Sequence, residues 1–212
     1  MILAAVIQLL LNPASNWLLT LTDGNLKIGL TQRVLFHKGR AYDSLEHLWY
    51  VYLKGHTLVP IANRADQDFT ELANSIDALV ITGGDDSAVR RTTELNLVIE
   101  TIKQQKPVVG VCHGCFLLTD ILGGKIGEIE GHLDTAHQVN YFGETKLVNS
   151  YHNLYIEQLQ DTATELATDE HGNCEAWIDR RLAIAGVVWH PERMPVAWIP
   201  DEINNLLFKE TK

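Results

Sequence analysis

Short apolar runs alternate with helical stripes through the first half of the chain. The runs at 26–31, 56–62, 77–82 and from Pro107 are short and rich in β-branched residues, which predicts four buried strands. Between them, apolar residues recur at helical spacing, as in 45–53 and 95–102. Strands and helices that alternate at this spacing indicate an α/β fold, with a mainly parallel central sheet and helices on both faces.

The pattern changes after Gly124, where short strand candidates are separated by turn residues. These candidates lie at 137–141, 145–150, 162–169 and 183–189, and they predict a small antiparallel sheet in the C-terminal half. A closing helix is expected over 200–209. The polar stretch 32–42 is predicted to be a surface loop. Thr92 or Thr93 is the expected helix cap, preceded by a solvated Arg90 and Arg91.

Cys112 lies at a predicted strand-to-helix turn. Gly110 and Gly114 flank it in a G-x-C-x-G pattern, which is the cysteine version of a nucleophile elbow. The glycines allow a sharp turn and the approach of a substrate, and the helix N-terminus stabilises the reactive thiolate. The pattern therefore predicts a nucleophile.

A catalytic cysteine needs a base, and the base needs an orienting group. The sequence W-H-P-E places His190 and Glu192 two residues apart, on the same side of an extended segment. Gly84, in a Gly-Gly pair after the third strand, and His113 could supply backbone N–H groups to an oxyanion. These residues together fit acyl transfer.

Two rival hypotheses also use Cys112. A redox pair with Cys115 would form a C-x-x-C motif, and a zinc site would combine Cys112 and Cys115 with His132 and His137. Both leave W-H-P-E and the upstream G-G-D without a role. We therefore expect no metal and no cofactor.

The composition of the chain limits the cellular compartments and the classes of partner that we expect. A formal net charge of −10 argues against nucleic acid as a partner, and three cysteines fit a reducing cytoplasm better than a disulfide framework. The apolar start of the chain is too short to span a bilayer and lacks an early basic region, so neither membrane nor secretion is expected. Residues 1–25 are interpreted as an N-terminal extension of unknown role, and 26–212 as one domain.

Four motifs occur in order: I-T-G-G-D, G-V-C-H-G, N-S-Y-H and W-H-P-E. Together they resemble the class I glutamine amidotransferase-like superfamily, and within it the γ-glutamyl hydrolase (peptidase C26) branch. The chain further resembles small bacterial hydrolases that remove glutamate from a γ-glutamyl-linked nucleotide amidate in capsule synthesis. The resemblance implies a flavodoxin-like three-layer fold.

The resemblance also implies roles for individual residues. Cys112 would form a γ-glutamyl thioester, with His190 moving the proton and Glu192 orienting it. The expected substrate contacts are Gly83, Asn149, Ser150, Tyr151 and His152. One position departs from the family pattern, because Phe116 stands where the family often has Gln.

Three functions remain open from the sequence. The first is a hydrolase of a small-molecule γ-glutamyl amide, which needs no partner. The second is a glutaminase subunit that passes ammonia to a synthetase partner. The third is a non-catalytic binding protein that keeps the fold. The sequence leaves open whether the chain forms a homo-oligomer.

Overall fold

A single mixed sheet of eleven strands forms the centre of the protein. The computed structural model of the chain describes residues 25–208. The strands are β1 Lys27–Thr31, β2 Arg33–His37, β3 Arg40–Ser44, β4 Thr57–Ile61, β5 Ala78–Ile81, β6 Val108–Val111, β7 Lys125–Glu128, β8 Thr135–Tyr141, β9 Glu144–Ser150, β10 Leu154–Gln158, β11 Thr164–Thr168, β12 Cys174–Asp179 and β13 Ile184–Val187. The helices are α1 Leu48–Tyr52, α2 Phe69–Ser75, α3 Ala88–Lys103, α4 His113–Ile121 and α5 Asp201–Phe208, with a 3₁₀ turn at Pro191–Arg193.

The sheet has a parallel centre and an antiparallel extension. The strand order is β4-β1-β5-β6-β13-β12-β11-β8-β9, with β10 paired to β12 and β7. The pairs from β4 to β13 are all parallel, and those from β13 to β9 are antiparallel. The predicted α/β class with a parallel centre is confirmed, and the later strands join the same sheet. Strand β13 was expected among the antiparallel strands, but it also pairs with β6 in parallel.

Helices cover both faces, so the fold has three layers. Helices α1 and α5 pack on one face, where Trp49 and Ile203 join the core, while α2, α3 and α4 pack on the other. Neighbouring strand residues alternate between the two cores: Val80 faces the first, and Leu79 and Ile81 face the second. Burial on both faces explains the continuous apolar runs of the parallel strands.

Three local predictions were wrong. The stretch 32–42 forms most of the β2–β3 hairpin, a separate two-stranded sheet, and not an open loop. Helix α3 begins at Ala88, with the Ser87 side chain accepting the Arg90 N–H, so it starts before the threonines. Strands β7, β10 and β12 were missed, and in β12, where all residues are buried, Glu175 and Asp179 interrupt the apolar pattern.

The expected N-terminal extension comprises residues 1–25. All of these except residue 25 lie outside the described residues. The boundary between the extension and the domain therefore stays a prediction. Within residues 25–208, we find no helix with both the length and the apolar character that crossing a bilayer requires.

The close contact between α4 and β5 gives a stability prediction. A Cβ added at Gly114 would lie 2.2 Å from the Ile81 carbonyl oxygen, which is backbone and cannot rotate away. We expect Gly114→Ala to lower the free energy of unfolding by about 3 kcal/mol, measured by urea denaturation. Gly55→Ala is the control: Gly55 has open space but a φ of +101°, so only backbone strain of about 1 kcal/mol should result. Equal losses in the two variants would contradict the packing argument.

Candidate active site

Cys112 occupies a strained turn between β6 and α4. Its φ of 51° and ψ of −107° are unusual for a residue with a side chain and cost about 1–3 kcal/mol. Two backbone hydrogen bonds hold the turn: the Cys112 N–H donates to the Val187 carbonyl at 2.9 Å, and the Phe116 N–H donates to the Cys112 carbonyl at 3.1 Å. The predicted strand-to-helix turn is present at this position.

The flanking glycines are needed because backbones approach closely there. A Cβ on Gly110 would lie 2.4 Å from the carbonyl carbon and oxygen of Gly114. Gly114 in turn packs against the Ile81 backbone. Any larger residue at either position would push α4 away from the sheet and move Cys112.

His190 pairs with Glu192 beside Cys112. The Nδ1 atom of His190 lies 2.6 Å from Oε1 of Glu192, and His190 and Cys112 line one cavity. Both His190 and Glu192 are buried. The segment was expected to be extended, but Pro191–Arg193 forms a 3₁₀ turn that brings the carboxylate back to the ring.

The surroundings of His190 favour its charged form. Burial opposes the charge, but hydrogen bonds with Cys112 and Glu192, and the charges of both groups, raise the pKa of His190 to about 9. Asn149 fixes the His190 backbone from both sides: its Nδ2 donates to the His190 carbonyl and its Oδ1 accepts the His190 N–H, each at 2.8 Å. Gly83 leaves room for the ring, because a Cβ there would lie 2.3 Å from Cε1.

A cavity of about 620 Å³ opens in front of Cys112. We call it the Cys112 cavity. Six of the residues singled out from the sequence line it: Gly84, Cys112, His113, Tyr151, His152 and His190. The other four residues do not line the cavity: Gly83, Asn149, Ser150 and Glu192. For Asn149 and Ser150 the structure shows scaffold contacts, and substrate contacts by these two residues stay predictions.

The rival uses of Cys112 find little support. Cys115 is fully buried, and burial raises the pKa of its thiol, which disfavours the thiolate that a redox pair needs. Within the described part of the chain, His132 and His137 group with His152 and not with the cysteines. The C-x2-C…H-x4-H set is therefore not assembled.

Comparison with known proteins identifies the family. The protein-family model described as glutamine amidotransferase class-I matches residues 41–209 of the chain. The chain belongs to this family. Gamma-glutamyl-CDP-amidate hydrolase of Campylobacter jejuni is 28% identical over 182 residues, which cover 78% of this chain and 90% of that protein. Anthranilate synthase component 2 of Lactococcus lactis is 27% identical over 172 residues, covering 71% and 82%.

A solved structure supports the fold. The crystal structure of a glutamine amidotransferase from Thermotoga maritima superposes with a TM-score of 0.61 at 14% identity, covering 80% of this chain and 77% of that one. The resemblance inferred from the four motifs is thus confirmed for the family and for the fold.

Sequence reasoning missed a buried charged network beside the Cys112 cavity. Arg90 was expected to be solvated, but its side chain is fully buried and donates to the carbonyls of Thr82, Gly83 and Asp85. Glu94 accepts from Arg90 Nε at 2.8 Å and from His113 Nε2 at 2.9 Å. Burial by itself would raise the pKa of Glu94, but His113 and Arg90 lower it. The i, i+4 spacing of Arg90 and Glu94 was the available signal.

A second missed group lies at the rim of the cavity. Glu46 accepts hydrogen bonds from Arg33 of the hairpin and from Arg193, whose Nε lies 2.9 Å from Oε2. The Arg193 guanidinium stacks 4.8 Å above the Tyr151 ring, and that ring meets His190 edge-on at 5.5 Å. These contacts join residues that are distant in the sequence, so no sequence motif predicts them.

The buried network gives a second stability prediction. Glu94→Gln leaves the Arg90 guanidinium buried without its carboxylate, and we expect a loss of about 3–5 kcal/mol in the free energy of unfolding. The control on the same helix is Glu100→Gln, which removes a partly exposed pair with Lys103 and should change stability by less than about 1 kcal/mol. Similar denaturation midpoints for the two variants would refute the role of the network.

The pKa of His190 gives a spectroscopic prediction. Because the Glu192 carboxylate favours the imidazolium, His190 should keep its proton until about pH 9 in the unmodified protein, and Glu192→Gln should lower that midpoint. NMR titration of ¹⁵N-labelled histidines measures both values. Glu170→Gln, beside the exposed His171, is the control and should leave the His190 midpoint unchanged. An unshifted midpoint in Glu192→Gln would contradict the assignment.

Proposed function

We propose that the chain hydrolyses γ-glutamyl amides with Cys112 as nucleophile, His190 as proton carrier and Glu192 as the residue that orients it. The observation that carries the proposal is the His190–Glu192 pair, with His190 and Cys112 lining the same cavity. Membership of the glutamine amidotransferase family supports it. The proposed compartment is the cytoplasm, which agrees with three free thiols.

The proposed reaction proceeds in two steps. The sulfur of Cys112, whose proton passes to His190, attacks the amide carbonyl carbon. The oxygen that becomes negative accepts hydrogen bonds from the backbone N–H groups of Gly84 and His113. The C–N bond breaks as His190 protonates the departing amine, leaving a γ-glutamyl thioester. Water then attacks this thioester while His190 removes its proton, and glutamate leaves as Cys112 regains its thiol form.

The walls of the cavity favour a leaving group larger than ammonia. Phe116, Leu117, Ile126 and Leu154 give one apolar wall, and a volume of about 620 Å³ lies within the range of small-molecule sites. Three arginines and three aspartates line the same space, so its formal charges balance: Arg33, Arg91, Arg193, Asp85, Asp86 and Asp120. The volume and the apolar wall suit a substituted amine, and the Campylobacter jejuni relative is named for a nucleotide amidate. We therefore propose a nucleotide-linked amidate of capsule or surface polysaccharide synthesis as the substrate class.

A glutaminase subunit is the second candidate. Relatives named as anthranilate synthase component 2 and carbamoyl phosphate synthase small chain are parts of larger enzymes by their names. The hairpin that begins at cavity residue Arg33 also exposes three large apolar side chains, Leu35, Phe36 and Tyr42, of which Phe36 is 75% exposed. An exposed apolar hairpin beside the cavity is a reasonable docking surface for a synthetase.

Glutamate release decides whether the chemistry is correct. The purified chain is incubated with a panel of γ-glutamyl amides, including glutamine and amidates with anionic amines, and free glutamate is measured. We expect hydrolysis of substituted amides without any partner, and a loss of about 10³-fold or more in kcat for Cys112→Ala. Cys174→Ala, at a second buried cysteine, is the matched control and should retain activity.

The same assay separates the two candidates. Glutamine hydrolysis that appears only after a synthetase is added would favour the glutaminase subunit. No glutamate from any amide, either alone or with a synthetase added, and with Cys112→Ala equal to the unmodified chain, would overturn both and leave a binding protein.

A further inference from the structure

Three histidines from separate segments meet beside the Cys112 cavity. His132 precedes β8, His137 lies in β8, and His152 lies between β9 and β10. One ring nitrogen of each lies within 4.8 Å of the others, and the ring centroids are 4.7, 4.9 and 6.1 Å apart. We call this group the histidine cluster. Apart from His152, an expected substrate contact, the cluster has no role in the proposed amide hydrolysis, so it requires a separate explanation.

The hydrogen bonds of the cluster leave lone pairs directed inward. His152 Nδ1 donates to the Leu154 carbonyl at 2.7 Å, which leaves its Nε2 without a proton. Within residues 25–208, His152 Nε2, both ring nitrogens of His137 and Nδ1 of His132 are buried without a hydrogen-bond partner. A histidine held by one nitrogen on a backbone carbonyl, with the other nitrogen free, is the usual arrangement of a metal ligand.

A buried carboxylate lies against the same group. Glu175 of β12 is 1% exposed, and its oxygens lie 3.3 Å from His137 Nε2 and 3.9 Å from His152 Nε2. A carboxyl group in this position is a further potential ligand for a metal ion. A cation would satisfy both the carboxylate and the imidazole lone pairs.

We propose that His132, His137, His152 and Glu175 bind one divalent transition-metal ion of the Zn²⁺ class. Three imidazoles and one carboxylate are a normal ligand set for this class, and the imidazole nitrogens must be neutral to bind. Zn–N bonds of about 2.0–2.1 Å require ligand atoms closer together than the present spacing, so side-chain shifts of about 1 Å complete the site. His152 lines the cavity, which supplies an entry path.

The ion would fix one wall of the cavity. It would join β8, β12 and the segment that carries Tyr151 and His152. The Ser150 hydroxyl already donates to the His132 carbonyl at 2.6 Å, which places His132 at the cluster. This assigns Ser150 a positioning role for a metal ligand.

Metal titration of the full chain tests the proposal. The Cys112→Ala background is used so that the nucleophile cannot bind the probe, and Co²⁺ is followed by its visible d–d absorption and Zn²⁺ by competition. We expect one Co²⁺ per chain with the bands of a four-coordinate nitrogen and oxygen site. His137→Ala and Glu175→Gln should each weaken binding by about 100-fold. His171→Ala, at an exposed histidine, should bind as the background does.

Thermal melts give a second measurement that does not depend on activity. Zn²⁺ should raise the melting temperature of the background in a concentration-dependent way, and the rise should be lost in His137→Ala. Thermal unfolding of every variant in the presence of a chelator shows whether that variant folds without metal. His132→Asn is used in place of any variant that does not fold. No saturable binding, a sulfur-to-cobalt charge-transfer band, or equal affinity of His137→Ala and His171→Ala would overturn the proposal.

Discussion

The close approach of backbone to backbone around Cys112 is the constraint on which the rest of the structure depends. Gly110 and Gly114 touch, and Gly114 touches Ile81, so β5, β6 and the start of α4 form one rigid unit at the centre of the sheet. The strained φ of Cys112 persists because both neighbours are fixed. As a result, the thiol lies at the carboxyl ends of the parallel strands, where α/β folds bind ligands.

Buried polar groups then align the remaining parts of the site with this unit. The carboxylate of Glu94 binds both Arg90 and His113, which lies at the start of α4. Arg90 in turn holds the loop of Gly83 and Gly84. The two proposed oxyanion donors therefore depend on one buried ion pair. Burying these charges costs desolvation energy, and the many hydrogen bonds of Arg90 offset part of that cost.

Two histidines on the same cavity show opposite shifts of pKa. Burial lowers the pKa of His152 to about 4, whereas for His190 the contacts with Cys112 and Glu192 outweigh burial and raise the pKa to about 9. Near neutral pH, His190 thus favours its charged form. This fits its proposed role, since the acid that protonates the amine must carry a proton.

The sequence by itself determined the parallel strands and the Cys112 turn. Both follow from short-range signals: short runs rich in β-branched residues, and a glycine two positions before and two positions after a cysteine. It also determined the family, because the four motifs keep their order. It did not reveal β12, whose buried Glu175 and Asp179 break the apolar pattern, and it took Arg90 for a surface residue.

Only the tertiary structure decided which distant polar groups meet. Arg90 is buried because Thr82, Gly83 and Glu94 surround it, and His132 and His137 find their third partner in His152, not in the cysteines. In the sequence, a charged residue or histidine that is buried cannot be told from one that is solvated. The difference lies in its contact partners, and the order of the strands in the sheet determines which residues these are. That order depends on packing across the sheet, which no local pattern encodes.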